Sequence, residues 1–92
     1  MATFVVTYTY RPEQAGDRDT HRAAHRAYLG ELVEAGSMLS TGAHVDGSGA
    51  TLIARAGTAA EVEELLAQDP FVLQGLATWQ VVEWNPVLGA FS

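Results

Sequence analysis

The sequence predicts an α+β fold of the ferredoxin-like type, βαββαβ, with a four-stranded antiparallel sheet and two helices packed on one of its faces. Two observations lead there. Four short segments alternate or run apolar with the period of a strand, and two longer ones repeat apolar residues at i, i+3, i+4 and i+7. Turn and capping residues separate these segments in the order strand, helix, strand, strand, helix, strand. A third observation concerns assembly. In the last strand segment Trp79, Val81 and Glu83 point one way, and Gln80, Val82 and Trp84 the other. Helices cover only one face of such a sheet, so the large apolar groups on the second face predict a homodimer or higher homo-oligomer joined sheet to sheet.

Thr3 to Tyr10 sets Phe4, Val6, Tyr8 and Tyr10 against Val5, Thr7 and Thr9, a strand of aromatic and β-branched residues. Arg11 to Gly16 reads as a loop. Asp17 then opens a helix, as its N-cap or in its first turn, and the helix runs to about Ala35, with Gly36 suited to the left-handed position after it. Ser37 to Ala43 reads as the second strand and Ala50 to Ala56 as the third, joined by the turn Asp46-Gly-Ser-Gly49. Thr58-Ala-Ala-Glu61 is a capping box opening the second helix, which should stop near Asp69 because Pro70 pushes the preceding residue out of the α region. Phe71 to Leu76 is room for one more helical turn. Ala77 to Asn85 is the last strand, and Pro86 to Ser92 a tail. The whole length, 1–92, reads as one domain.

Composition narrows the chemistry. With a net charge of −6 and an isoelectric point near 4.7, neither nucleic acid nor an anionic membrane is an expected partner. There is no lysine for Schiff-base chemistry and no cysteine for disulfides, thiol nucleophiles or thiolate metal sites. Apolar runs are too short to span a bilayer, and Met1-Ala-Thr-Phe-Val lacks the basic start of a signal peptide. A soluble, cytoplasmic protein is expected, and no cofactor signature is present.

Two ionisable residues fall on the apolar stripes of the helices. The first stripe runs His25, Tyr28, Leu29, Leu32; the second runs Val62, Leu65, Leu66, Asp69. In the expected topology β1 and β3 are antiparallel neighbours, so the two helices are antiparallel and the first half of one lies beside the end of the other. That places His25 beside Asp69. An unpaired buried charge is costly, so a His25–Asp69 pair is the economical arrangement, and such a pair is also a general base. The alternative for His25 is a hydrogen-bonded, inert helix residue; for Asp69 it is helix termination by Asp-Pro. As an acid at a helix C-terminus Asp69 would oppose the macrodipole, which argues for a partner. His21 and His25 have the i, i+4 spacing of helical metal ligands, but without HExxH, cysteine or a third ligand no metal is expected. His44 reads as a loop residue. Arg22 is a candidate for binding a substrate carboxylate, and Tyr8 and Ser40 for lining a pocket, although Tyr8 also reads as ordinary strand packing.

The chain resembles the YciI-like family of small proteins with a dimeric α/β-barrel fold. The resemblance rests on Phe4-Val-Val-Thr-Tyr8, Arg22-Ala-Ala-His25-Arg-Ala-Tyr28-Leu29 and Glu34-Ala-Gly36-Ser-Met-Leu39-Ser-Thr-Gly42. It continues through Asp69-Pro70-Phe71, Gly75-Leu76 and Trp84-Asn85-Pro86, nearly the whole length. It implies catalytic roles for His25 and Asp69, and chemistry on small ring compounds like that of relatives similar in fold to muconolactone isomerase, or of a member that eliminates chloride from a chlorinated aromatic. One departure stands out: Ala43 occupies a position after the second strand where the family often has proline. The expected function is proton transfer by His25, oriented by Asp69, on a small cyclic or aromatic molecule, in an isomerase, lyase or dehydrochlorinase-like reaction. The competing expectation is a non-catalytic dimeric module that binds a small ligand or supports a partner enzyme.

Overall fold

A computed structural model describes all 92 residues. The strands are β1 (Ala2–Thr9), β2 (Met38–Ala43), β3 (Gly49–Ala56) and β4 (Thr78–Trp84). The helices are α1 (Ala15–Glu34), α2 (Ala59–Ala67) and the single turn α3 (Pro70–Leu73). All strand pairs are antiparallel, in the order β2-β3-β1-β4. This is the predicted four-stranded ferredoxin-like sheet with its helices on one face. No helix is long and apolar enough to cross a membrane.

Register assigns the two faces. Tyr8 lies opposite Ala50 and Trp79, Val6 opposite Leu52 and Val81, and Phe4 opposite Ala54 and Glu83. Phe4, Val6, Tyr8, Leu52 and Ala54 are buried beneath Leu29 and Leu32 of α1 and Val62 and Leu66 of α2. The open face carries Thr3, Val5, Thr7, Ile53, Val82 and Trp84, and of these Val82 is 61% and Trp84 39% exposed.

Several boundaries move from their expected places for local reasons. The loop after β1 contains a 3₁₀ turn, Pro12–Gln14, that feeds directly into α1, so the helix starts at Ala15 and Asp17 lies in its first turn instead of capping it. Gly36 takes φ of +83°, with Gly36 N donating to Val33 O and Ser37 N to Leu32 O, the paired bonds of a Schellman ending. Thr58 caps α2 by accepting from Glu61 N, while the Glu61 carboxylate accepts from Gly57 N, one residue earlier than the usual capping box.

Candidate active site

His25 comes from the first half of α1, and its inward position on the stripe buries all but 8% of it. Asp69 is fully buried. It does not end α2, as the Asp-Pro sequence suggests, because α2 already stops at Ala67. Asp69 is instead the N-cap of α3, with φ −66° and ψ 128°, and its Oδ1 accepts from Phe71 N at 3.0 Å. The carboxylate therefore sits at the favourable end of one helical turn, which offsets its place just beyond the C-terminus of α2.

Three donors meet this carboxylate. His25 Nδ1 lies 2.7 Å from Oδ1 and 3.0 Å from Oδ2, and the Tyr8 hydroxyl donates to Oδ2 at 2.8 Å. The third is Phe71 N. An ionised carboxylate only accepts, so Nδ1 carries a hydrogen, and in the neutral ring the lone pair is left at Nε2. Nε2 has no protein partner, yet no buried side-chain nitrogen or oxygen lacks one, so Nε2 is reached by solvent. The ring is held flat against Phe71, with centroids 3.8 Å apart and planes 1° from parallel. Burial, followed by the charge of Asp69 and the bond to it, pushes the Tyr8 phenol far above its ordinary pKa, which keeps it a donor. Tyr28 closes the arrangement from α1 by donating to Leu65 O at 2.6 Å.

His25 opens on a cleft of about 320 Å³ between α1 and the β2–β3 end of the sheet. Its apolar wall includes Leu29, Val33, Ala50, Leu52 and Phe71, and its polar groups include Tyr10, Arg22, Arg26 and Thr41. The size suits one small molecule.

The other sequence candidates are placed differently from one another. Arg22 lines the cleft, paired with Asp19 one turn earlier. Tyr8 does not line it; it stands behind Asp69. Ser40 does not reach it either. A bulge at Leu39 makes Ser40 pair with Ile53 on the open face, which shifts the alternation by one residue and brings Thr41 to the cleft. His21 is half-buried and away from the cleft, and no three His, Asp or Glu side chains converge as metal ligands. His44 is more than a loop residue, since its Nε2 lies 2.8 Å from Thr51 Oγ1 and Nδ1 3.3 Å from Ser48 Oγ.

Tyr10, Arg26, Thr41 and Phe71 are cleft residues that the sequence reading did not single out. Tyr10 continues the inward alternation of β1 and Arg26 lies one turn beyond Arg22, signals that were present. The stacking of Phe71 on His25 needed the chain path after Pro70. Burial and the nearby Asp69 push the Tyr10 phenol up, while Arg18 and Arg22 pull the other way.

Fold and site together define a small α+β protein with a buried histidine–carboxylate dyad opening on a cleft of about 320 Å³. The chain belongs to the family described as the YCII-related domain, whose model matches residues 2–85. It is similar in structure to 5-chloro-2-hydroxyhydroquinone dehydrochlorinase from Burkholderia phenoliruptrix AC1100, solved in complex with 2,5-dihydroxybenzoquinone. The TM-score is 0.80 at 28% identity, over 90% of this chain and 93% of that one. No protein of curated function matches the sequence.

Proposed function

We propose that this protein is a cofactor-independent enzyme that uses His25 and Asp69 to move a proton on a small hydroxylated ring compound, in an elimination or isomerisation. The observation that carries this reading is the dyad itself: a solvent-reached Nε2 on an imidazole whose Nδ1–H is fixed by a fully buried carboxylate. In an elimination, Nε2 takes the substrate proton, the released electron pair becomes the new π bond, and the leaving group departs with its own pair. Asp69 then stabilises the imidazolium and holds the ring in one tautomer. The structural likeness to a dehydrochlorinase that acts on a chlorinated hydroquinone supports the same class of substrate here.

The assembly reading is a homodimer closed through the open sheet face. Exposed Val82 and Trp84 and half-buried Val5 and Ile53 support it, and light scattering tests it: a monomer at micromolar concentration contradicts it. A chain without cysteine is in keeping with a cytoplasmic setting.

The catalytic test is turnover of a panel of chlorinated and plain hydroxyhydroquinones, followed by ring absorbance and chloride release. Wild type is expected to convert at least one compound. His25→Ala should abolish that activity, and Asp69→Asn should lower it by about 10²- to 10⁴-fold in folded protein. Normal turnover by His25→Ala refutes the mechanism. Ligand binding without turnover of any compound points instead to a binding module.

A further inference from the structure

The cleft reverses the charge of the chain. The sequence has 11 acidic and 5 basic residues, yet no Asp or Glu lines the cleft, while Arg22 and Arg26 do. Arg18 precedes them at the same four-residue spacing, so all three share one broad face of α1. Arg18 is only 5% exposed. Its Nη1 donates to Arg11 O at 2.9 Å and its guanidinium lies 4.5 Å over the Tyr10 ring, with no carboxylate in ion-pair range. A buried cation without an ion-pair partner is costly, and Arg18 holds its charge against Tyr10, a wall of the cleft, where it opposes the nearby Asp69. Arg26 is exposed and has no ionic or hydrogen-bonding partner. Arg22 has only Asp19, whose side chain is 70% exposed and readily returned to water. Asp69 is fully buried, and its carboxylate is already bound by Tyr8, His25 and Phe71 N. The Tyr10 hydroxyl has no protein partner either, and burial keeps it protonated.

We infer that the cleft takes its substrate as an anion: a planar ring bearing an ionised oxygen, either a ring carboxylate or an enolate, held by Arg22 and Arg26 with the Tyr10 hydroxyl as a further donor. The inference rests on the reading of this cleft as the site of the His25 dyad. It adds a catalytic consequence, since the same two guanidinium groups stabilise negative charge that grows on the ring as Nε2 removes a proton.

The test is calorimetric binding to the intact protein at neutral pH. The anionic probes are 2,5-dihydroxybenzoate, a carboxylate, and 2,5-dihydroxybenzoquinone, an ionised enol. The uncharged counterparts are 2,5-dihydroxybenzamide and hydroquinone. At least one anionic probe should bind tenfold or more tightly than its uncharged counterpart, and which one does so identifies the source of the charge. Arg22→Gln and Arg26→Gln should each weaken the anionic probe about tenfold and leave the uncharged one unchanged, while Arg26→Lys retains part of the affinity. Added salt should weaken only the anionic probe in wild type, a readout independent of any variant. Equal affinity for charged and uncharged probes, indifference of anion affinity to both glutamine variants, or no binding of either anion overturns the inference. Turnover that is lost in His25→Ala, together with equal affinity for charged and uncharged probes, would sink the anion inference and leave the dyad standing. Arginine-dependent anion binding without turnover of any compound would do the reverse.

Discussion

Replacing Tyr8 by Phe removes one oxygen and leaves the ring, so the experiment isolates a single hydrogen bond. Tyr8 is 1% exposed, Asp69 is fully buried, and the bond between them is 2.8 Å. After the substitution Asp69 keeps Phe71 N on Oδ1 and His25 Nδ1 between its two oxygens, but Oδ2 loses its shortest contact and keeps only the 3.0 Å approach of His25 Nδ1. Hydrogen bonds to charged groups contribute about 1.5–3 kcal/mol, and burial removes water as a substitute partner. A loss of about 2 kcal/mol is therefore expected. At roughly 4–8 °C per kcal/mol for a domain of this size, Tm should fall by about 8–16 °C. Urea unfolding followed by circular dichroism should show a lower midpoint with an unchanged slope, since the surface exposed on unfolding is the same. The same substitution in an Asp69→Ala background should cost much less, because the acceptor is already gone. A fall in Tm of less than about 2 °C, or full additivity with Asp69→Ala, would refute the three-donor carboxylate.

Two further outcomes follow from the same geometry. A Cβ at Gly49 would lie 1.9 Å from the Tyr8 carbonyl oxygen, so Gly49→Ala must push β3 from β1 beside the dyad. It is expected to cost about 1–3 kcal/mol or more in thermal unfolding, whereas Gly42→Ala, with nothing within 4 Å, should be near neutral; equal effects would contradict the close approach. All three tyrosines have phenols pushed up, with burial the leading cause. The folded chain therefore holds protons that the unfolded chain sheds near pH 10, and stability falls as pH rises through and beyond about 10. Tyrosinate absorbance should lag to more alkaline pH and rise as the circular dichroism of the fold is lost; titration of all three near pH 10 in folded protein would contradict this.

Much of this site was legible because periodicity reports what faces inward. The stripes His25–Leu29–Leu32 and Val62–Leu66–Asp69, with antiparallel helices, were enough to bring His25 and Asp69 together, as the 2.7 Å contact shows. What escaped was set by irregular backbone. The bulge at Leu39 has no sequence marker, and it exchanges Ser40 for Thr41 at the cleft. Asp-Pro marks the end of one helix and the cap of the next with the same two letters, so the helix-capping role of Asp69 was hidden. Tyr8 was placed correctly in the sheet, but its partner lies 61 residues away and only the folded chain shows that its hydroxyl reaches Asp69. The missing counter-charge at Arg18 is a property of three-dimensional neighbourhood, invisible to spacing alone.

Proton transfer by this dyad requires that Asp69 fix the His25 tautomer so that an unprotonated Nε2 faces the cleft. Long-range nitrogen–proton NMR of the three histidines reads this directly, with His25→Ala assigning the signal. In protein at a pH where His25 is neutral, the hydrogen is expected on Nδ1 and the lone pair on Nε2, with that preference lost in Asp69→Ala. A neutral His25 carrying its hydrogen on Nε2 in the wild-type protein would contradict it.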